Sequence, residues 1–121
     1  MRSFTWDDYL ELAARLTQDV EDEAALRTAI SRAYYAAYHS AAHFVRWRGI
    51  LTAGQSHWAV WRALSKGLSI EHVWIGRSGD ELKRLRVRAD YSLPFLGDLP
   101  LAAGDAITQA RSLVEAIRRL P

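Results

Sequence analysis

Apolar residues along this chain recur at helical spacing, and nowhere do they alternate with period two for long enough to mark a strand. Phe4, Tyr9, Leu12, Ala13 and Leu16 share one side of a helix, and Thr5 followed by Asp8 resembles a capping box. The pattern therefore predicts a first helix over about 5–19. The acidic stretch from Asp19 to Glu23 suits the N-terminus of a second, long helix over about 22–48, stopped by Gly49. Ser56 opens a third, amphipathic helix through His57, Val60, Trp61 and Leu64, which Gly67 closes. Ser78 with Glu81 is a capping signal for a fourth helix over about 79–93, ended by Pro94, and Pro100 opens a last one over about 101–119. The expected architecture is all-α: one domain over residues 1–121, an antiparallel up-and-down bundle of four main helices plus a shorter one. The stretch "SIEHVWIG", residues 69–76, falls between predicted helices as a loop whose Val73, Trp74 and Ile75 would suit a partner protein if exposed.

The second helix carries "SRAYYAAYHSAAH", with three tyrosines and two histidines in thirteen positions. At about 100° per residue, Ile30, Ala33, Tyr34, Ala37, Ala41, Phe44 and Val45 gather on one side as the core stripe. Arg32, Tyr35, Ala36, His39, His43 and Arg46 fall on the opposite side. An ordinary solvated face would carry Lys and Glu, whereas small residues interleaved with Arg and aromatics suit close approach by a partner. The expectation is a homodimer interface or the wall of a cleft, the other reading being an aromatic surface.

Composition narrows the options. The 121 residues suffice for one core, with half of them hydrophobic and a quarter charged. The absence of cysteine excludes a disulfide framework, a thiolate metal site and a cysteine nucleophile. No apolar run is long enough to span a bilayer, and the first residues lack the basic-then-apolar pattern of a secretory signal, so a cytoplasmic location is expected. Charge is unevenly spread. Residues 1–30 hold three arginines against seven acids, a net −4, and residues 31–121 hold thirteen bases against seven acids, a net +6. Nearly all the bases are arginine, whose planar fork suits phosphate and carboxylate. That permits an anionic partner, nucleotide or nucleic acid, beside the plainer reading of a solvated basic face.

In "DELKRLRVRADYSLP" the core stripe is Leu82, Leu85, Ala89 and Leu93, and Arg86 lies only about 60° from its centre. A partly buried arginine needs a partner, and Asp90 stands one turn away. The pair either fixes helix packing or makes Arg86 a phosphate clamp that Asp90 orients. Arg84, Arg88 and Tyr91 fall on the outer side.

Taken together, "SRAYYAAYHSA", "GQSHWAV" and "RLRVRADYSL" resemble the HEPN superfamily (higher eukaryotes and prokaryotes nucleotide-binding domain), in its small stand-alone prokaryotic branch. Ser31, Arg32, Tyr34, Tyr35, Ala36, Tyr38 and His39 match a first motif, His57 a middle histidine, and Arg86, Ala89, Asp90 and Tyr91 a last motif. Gln55 stands where that pattern usually has Lys or Arg. The resemblance covers roughly residues 8–118 and implies an all-α bundle, usually a symmetric dimer. It also implies a nucleotide- or RNA-associated role, either as a binding and regulatory partner of a small nucleotidyltransferase in a toxin–antitoxin pair or as a metal-independent ribonuclease. The ribonuclease signature is an Arg followed four to six residues later by His on a C-terminal helix. Here no histidine follows Arg86, Tyr91 occupies that spacing, and the formal match, Arg32 to His39, lies on an earlier helix.

The leading expectation is thus a binding or regulatory module, with a ribonuclease toxin and a purely structural dimerisation module as the other two readings. Candidate ligand-binding residues are Arg32, Tyr35, His39, His57, Arg86, Asp90 and Tyr91. RNA cleavage would need a base, an acid and a cation for the phosphorane, which His39 with Arg32 or Arg86 would supply. His39 and His43 have the i, i+4 spacing of two zinc ligands, but Ser40, Ala41 and Ala42 lie between them and no third ligand is evident. No metal or cofactor is expected. The five tryptophans read first as packing residues, with Trp47 between Arg46 and Arg48 placed to stack a base.

Overall fold

A computed structural model describes residues 2–51, 54 and 56–121. Five helices follow one another: α1 (Asp7–Leu16), α2 (Glu23–Trp47), α3 (His57–Ser65), α4 (Ile70–Tyr91) and α5 (Leu99–Arg119). The described residues contain no strand. No helix among them is long and apolar enough to cross a membrane.

Local chemistry sets most of the helix ends. Asp22, Ser56, Ser69 and Asp98 are N-caps, their side-chain oxygens accepting from the backbone N–H of Ala25, Ala59, His72 and Leu101 respectively. At the end of α2, Gly49 adopts φ +71°, its N–H reaching the Arg46 carbonyl at 3.0 Å while Ile50 N–H reaches Val45 at 2.8 Å. This is a Schellman turn, and it confirms the stop read at Gly49. Only half of the expected Thr5–Asp8 capping box forms: the Thr5 N–H donates to the Asp8 carboxylate at 3.0 Å, and α1 starts at Asp7.

α2 is the hub, touching each of the other four helices. Its stripe of Ile30, Ala33, Tyr34, Ala37, Ala41 and Val45 is fully buried, as the periodicity predicts. Arg27 adds a tether that the pattern does not reveal. Its guanidinium donates to the carbonyls of Ala89 and Ser92, at 2.9 and 2.7 Å, and so satisfies orphan acceptors at the end of α4.

Two expectations are corrected. The fourth helix does not begin near residue 79, and "SIEHVWIG" is not a loop. Ser69 caps a helix that runs unbroken from Ile70 to Tyr91, straight through Gly76 and Gly79. Both glycines are buried because α3 presses on α4 there. A methyl group at Gly76 would overlap the Ser65 backbone, and one at Gly79 would overlap the six-membered ring of Trp61. These glycines permit contact rather than a turn. The outer face of α2 is partly covered within the chain itself. Ala36 is buried within the chain, and along this face Tyr9 of α1 lies beside Arg32 and Trp6 lies flat on His39. The chain's own first helix thus takes up part of that face.

Candidate functional site

The Tyr34 hydroxyl has two side-chain partners on α3. Tyr34 is fully buried, its oxygen 3.0 Å from Trp61 Nε1 and 2.9 Å from His57 Nδ1. An indole N–H can only donate, so it occupies one lone pair of the phenol oxygen. This oxygen has no other acceptor among its described partners, so its proton is assigned to His57 Nδ1, which is then the bare ring nitrogen. His57 is thereby held as the neutral tautomer with its proton on Nε2. Burial lowers its pKa below the ordinary 6.5, and the charges of Arg86, Lys83 and His39 lower it further. Burial pushes the Tyr34 hydroxyl far above the usual tyrosine range, so the phenol keeps its proton. Tyr38 completes the mount by stacking on the His57 ring, centroids 3.8 Å apart.

Tyr35 meets the Tyr34 ring edge-on, centroids 5.2 Å apart, and organises the charged part of the site. The guanidinium of Arg32 lies 5.0 Å and that of Arg86 5.5 Å from the Tyr35 ring centroid, and His57 meets it edge-on at 5.7 Å. Arg86 is the more enclosed, its side chain only 12% exposed. It rests on the Tyr34 ring and donates from Nη1 to Asp90 Oδ2 at 3.3 Å, while its Nε is buried without a partner. A guanidinium carries five N–H groups, so one long bond to a carboxylate leaves most of this donor set unused. Arg32 rests on Tyr9 and Tyr35 and donates to Ser31 Oγ at 3.2 Å. It forms no ion pair among the described residues, so two cations converge with one carboxylate engaged between them.

Five sequence-predicted residues, Arg32, Tyr35, His57, Arg86 and Asp90, therefore come together from α2, α3 and α4. The Arg86–Asp90 pair forms as the spacing predicts. His39 lies one turn beyond Tyr35, ring centroids 5.9 Å apart, but its face is covered by Trp6 at 3.7 Å, nearly parallel. No hydrogen bond links it to Arg32 or Arg86. Burial, then Arg46 and Arg32, lower its pKa below 6.5, so it is neutral at neutral pH. With Trp6, His43 and Trp47 it borders a groove of about 670 Å³ between α2, the N-terminal segment and the end of α5. Tyr91 stands 77% exposed at the end of α4, with no ring contact or hydrogen bond to the cluster. Gln55 lies outside the described residues. Among the described residues no group of three His, Asp or Glu side chains is placed to hold a metal ion.

Sequence reading placed Tyr34 in the core and Trp61 on the apolar stripe of α3, and so missed that both serve His57. The available signal was the i, i+4 spacing of His57 and Trp61, which puts ring and indole on one face of α3. Comparison with protein families, with curated proteins and with solved structures finds no match to this chain.

Proposed function

We propose that the chain is a HEPN-like nucleotide- or RNA-associated binding module, and that the Arg32–Tyr35–Arg86 cluster is its phosphate-recognition site. The observation that carries this reading is the convergence of two guanidiniums on one tyrosine ring with a single carboxylate between them. An incoming phosphate would take up the unused donors of Arg86 and the unpaired charge of Arg32, with the neutral His57 Nε2–H adding a directional donor. Asp90 would hold Arg86 in place, and Tyr35 would support both arginines. In the same reading the five helices form an antiparallel up-and-down bundle, the module is a homodimer, and its protein partner is a small nucleotidyltransferase of a toxin–antitoxin pair.

The test is calorimetric titration with ADP and with a short single-stranded RNA, in wild type and in Arg86→Ala, Arg86→Lys and Arg32→Ala variants. Wild type should bind one of the two, and Arg86→Ala should weaken binding about tenfold or more, the cost of losing a charged hydrogen-bond donor. Arg86→Lys should recover only part of it, because an ammonium cannot reproduce the fork. Absence of binding to both probes, or affinity unchanged in every variant, would overturn the assignment.

A second reading, metal-independent ribonuclease, is favoured by one feature: burial and the charges of Arg46 and Arg32 keep His39 in the neutral form that a general base requires, near an arginine able to meet phosphorane charge. RNA cleavage in EDTA, lost in folded His39→Ala and Arg86→Ala, would establish it. Intact RNA with wild type would leave the site to binding alone.

A further inference from the structure

α3 presents two kinds of tryptophan. Trp61 faces inward, while Trp58, three residues earlier, lies at the rim of a cavity of about 430 Å³ between α3 and α4. From α3 and its C-cap residue this groove takes Trp58, Arg62 and Lys66, spaced four residues apart along a stripe about 12 Å long. From α4 it takes Arg77, Lys83 and Arg84. Its two acids are Asp80 and Glu81. Asp80 is committed to Arg84 at 2.8 Å and Lys83 at 4.0 Å. Arg62, Lys66 and Arg77 form no ion pair among the described residues, and neither does Glu81, so five bases line the groove against two acids. Arg62 lies over the Trp58 ring at 4.9 Å.

We propose that the α3–α4 groove is a track for single-stranded nucleic acid, with Trp58 as the stacking platform for a base and Arg62, Lys66 and Arg77 as the groups that meet its phosphates. Exposed cations alone would suit any polyanion. The exposed indole beside them selects a ligand with a flat π-face attached to phosphate, which is the chemistry of an unpaired nucleotide. The length of the stripe suits more than one phosphate, so the ligand is a strand rather than a mononucleotide. The groove also adjoins the Arg32–Arg86 cluster. Trp58 follows His57 in the chain, Trp61 lines the groove and bonds Tyr34, and Lys83 lies between groove and cluster, one helical turn before Arg86. A strand gripped at Arg86 would leave along α3. The inference rests on the phosphate-site reading of that cluster and names the ligand class it serves.

The test is fluorescence anisotropy with a labelled oligouridylate across a salt series, using wild type, Arg62→Glu with Arg77→Glu, Trp58→Ala, Trp58→Phe and Arg86→Ala. The groove residues changed are exposed, and unchanged thermal unfolding would confirm that each variant is folded. The charge reversal should weaken binding at least tenfold and reduce the slope of log affinity against log salt by about 0.7 for each phosphate no longer neutralised. Trp58→Ala should cost roughly five- to a hundredfold, and Trp58→Phe should recover much of it. The inference falls if groove variants bind like wild type while Arg86→Ala does not, an outcome that spares the phosphate-site reading. It falls equally if wild type binds ADP but no oligouridylate, or if polyglutamate of equal charge displaces the RNA as well as unlabelled RNA does, since the groove would then be reading charge alone. If neither ADP nor RNA binds wild type, both readings fall together.

Discussion

Trp58 and Trp61 stand one turn apart on the same short helix and border the same groove, yet they differ in almost everything else. Trp61 is 1% exposed, flanked by Gly79 and bonded through its N–H to Tyr34. Trp58 is 54% exposed, its ring under a guanidinium at the mouth of a basic groove. The difference teaches that an aromatic residue in this molecule acquires its role from the helix that faces it. Where α4 presents a glycine, the indole becomes a structural strut and a hydrogen-bond donor to the His57 mount. Where α4 presents lysine and arginine, the indole stays open to solvent.

The sharpest way to break the comparison is to remove each ring. Trp61→Ala should cost about 3–5 kcal/mol, the range for a large buried aromatic, through both the cavity and the unpaired Tyr34 hydroxyl. Trp58→Ala should stay within about 0.5 kcal/mol, as for a surface change. Urea unfolding of both variants measures the contrast, and equal losses would dissolve it.

Next in size is Gly79→Ala. A single methyl must displace the Trp61 ring or part α3 from α4, and overpacking of this kind costs about 1–3 kcal/mol. The control is Gly104→Ala on α5, where nothing stands within 4 Å of the added carbon and helix propensity should make the change neutral or stabilising. Thermal unfolding distinguishes the two, and a stabilising Gly79→Ala would mean that the helices do not press together there.

The smallest effect is a pH dependence. His57 and His39 have folded-state pKa values below the ordinary 6.5, so between those values the unfolded chain binds protons that the folded chain does not. Stability is therefore full above about pH 6.5 and declines as pH falls through the window beneath it. Tyr34→Phe removes the phenol proton donated to Nδ1, which should raise the His57 pKa and flatten the decline. Nitrogen NMR of the His57 ring, which reads tautomer and titration directly, checks this without depending on stability. An unchanged tautomer in Tyr34→Phe would show that the phenol does not orient the ring.

The features legible in the sequence are those whose causes lie within about four residues. Asp22 and Ser56 cap their helices because each carries an oxygen three residues before an orphan N–H. Gly49 stops α2 because a left-handed residue closes two carbonyls of its own last turn. The core stripe of α2 and the Arg86–Asp90 pair follow from helical spacing alone. The misreadings share one cause. Gly76, Ser78 and Gly79 carry the local signature of a break, and only the approach of α3 gives the glycines another purpose. Ala36 falls on the outer side of α2 by spacing, and only the fold shows that it is buried within the chain.

By itself, then, the chain determined an all-helical protein, the cap at Ser56, the stop at Gly49, and the residues that carry its charge and its rings. Tertiary structure decided which of those residues meet. Tyr34, Trp61 and His57 are joined across 27 positions of sequence, and Arg32 and Arg86 share one tyrosine from helices far apart in the chain. Hydrogen bonding and burial act over a few ångströms of space, whereas periodicity and capping act over a few residues of chain. Only the fold converts one distance into the other.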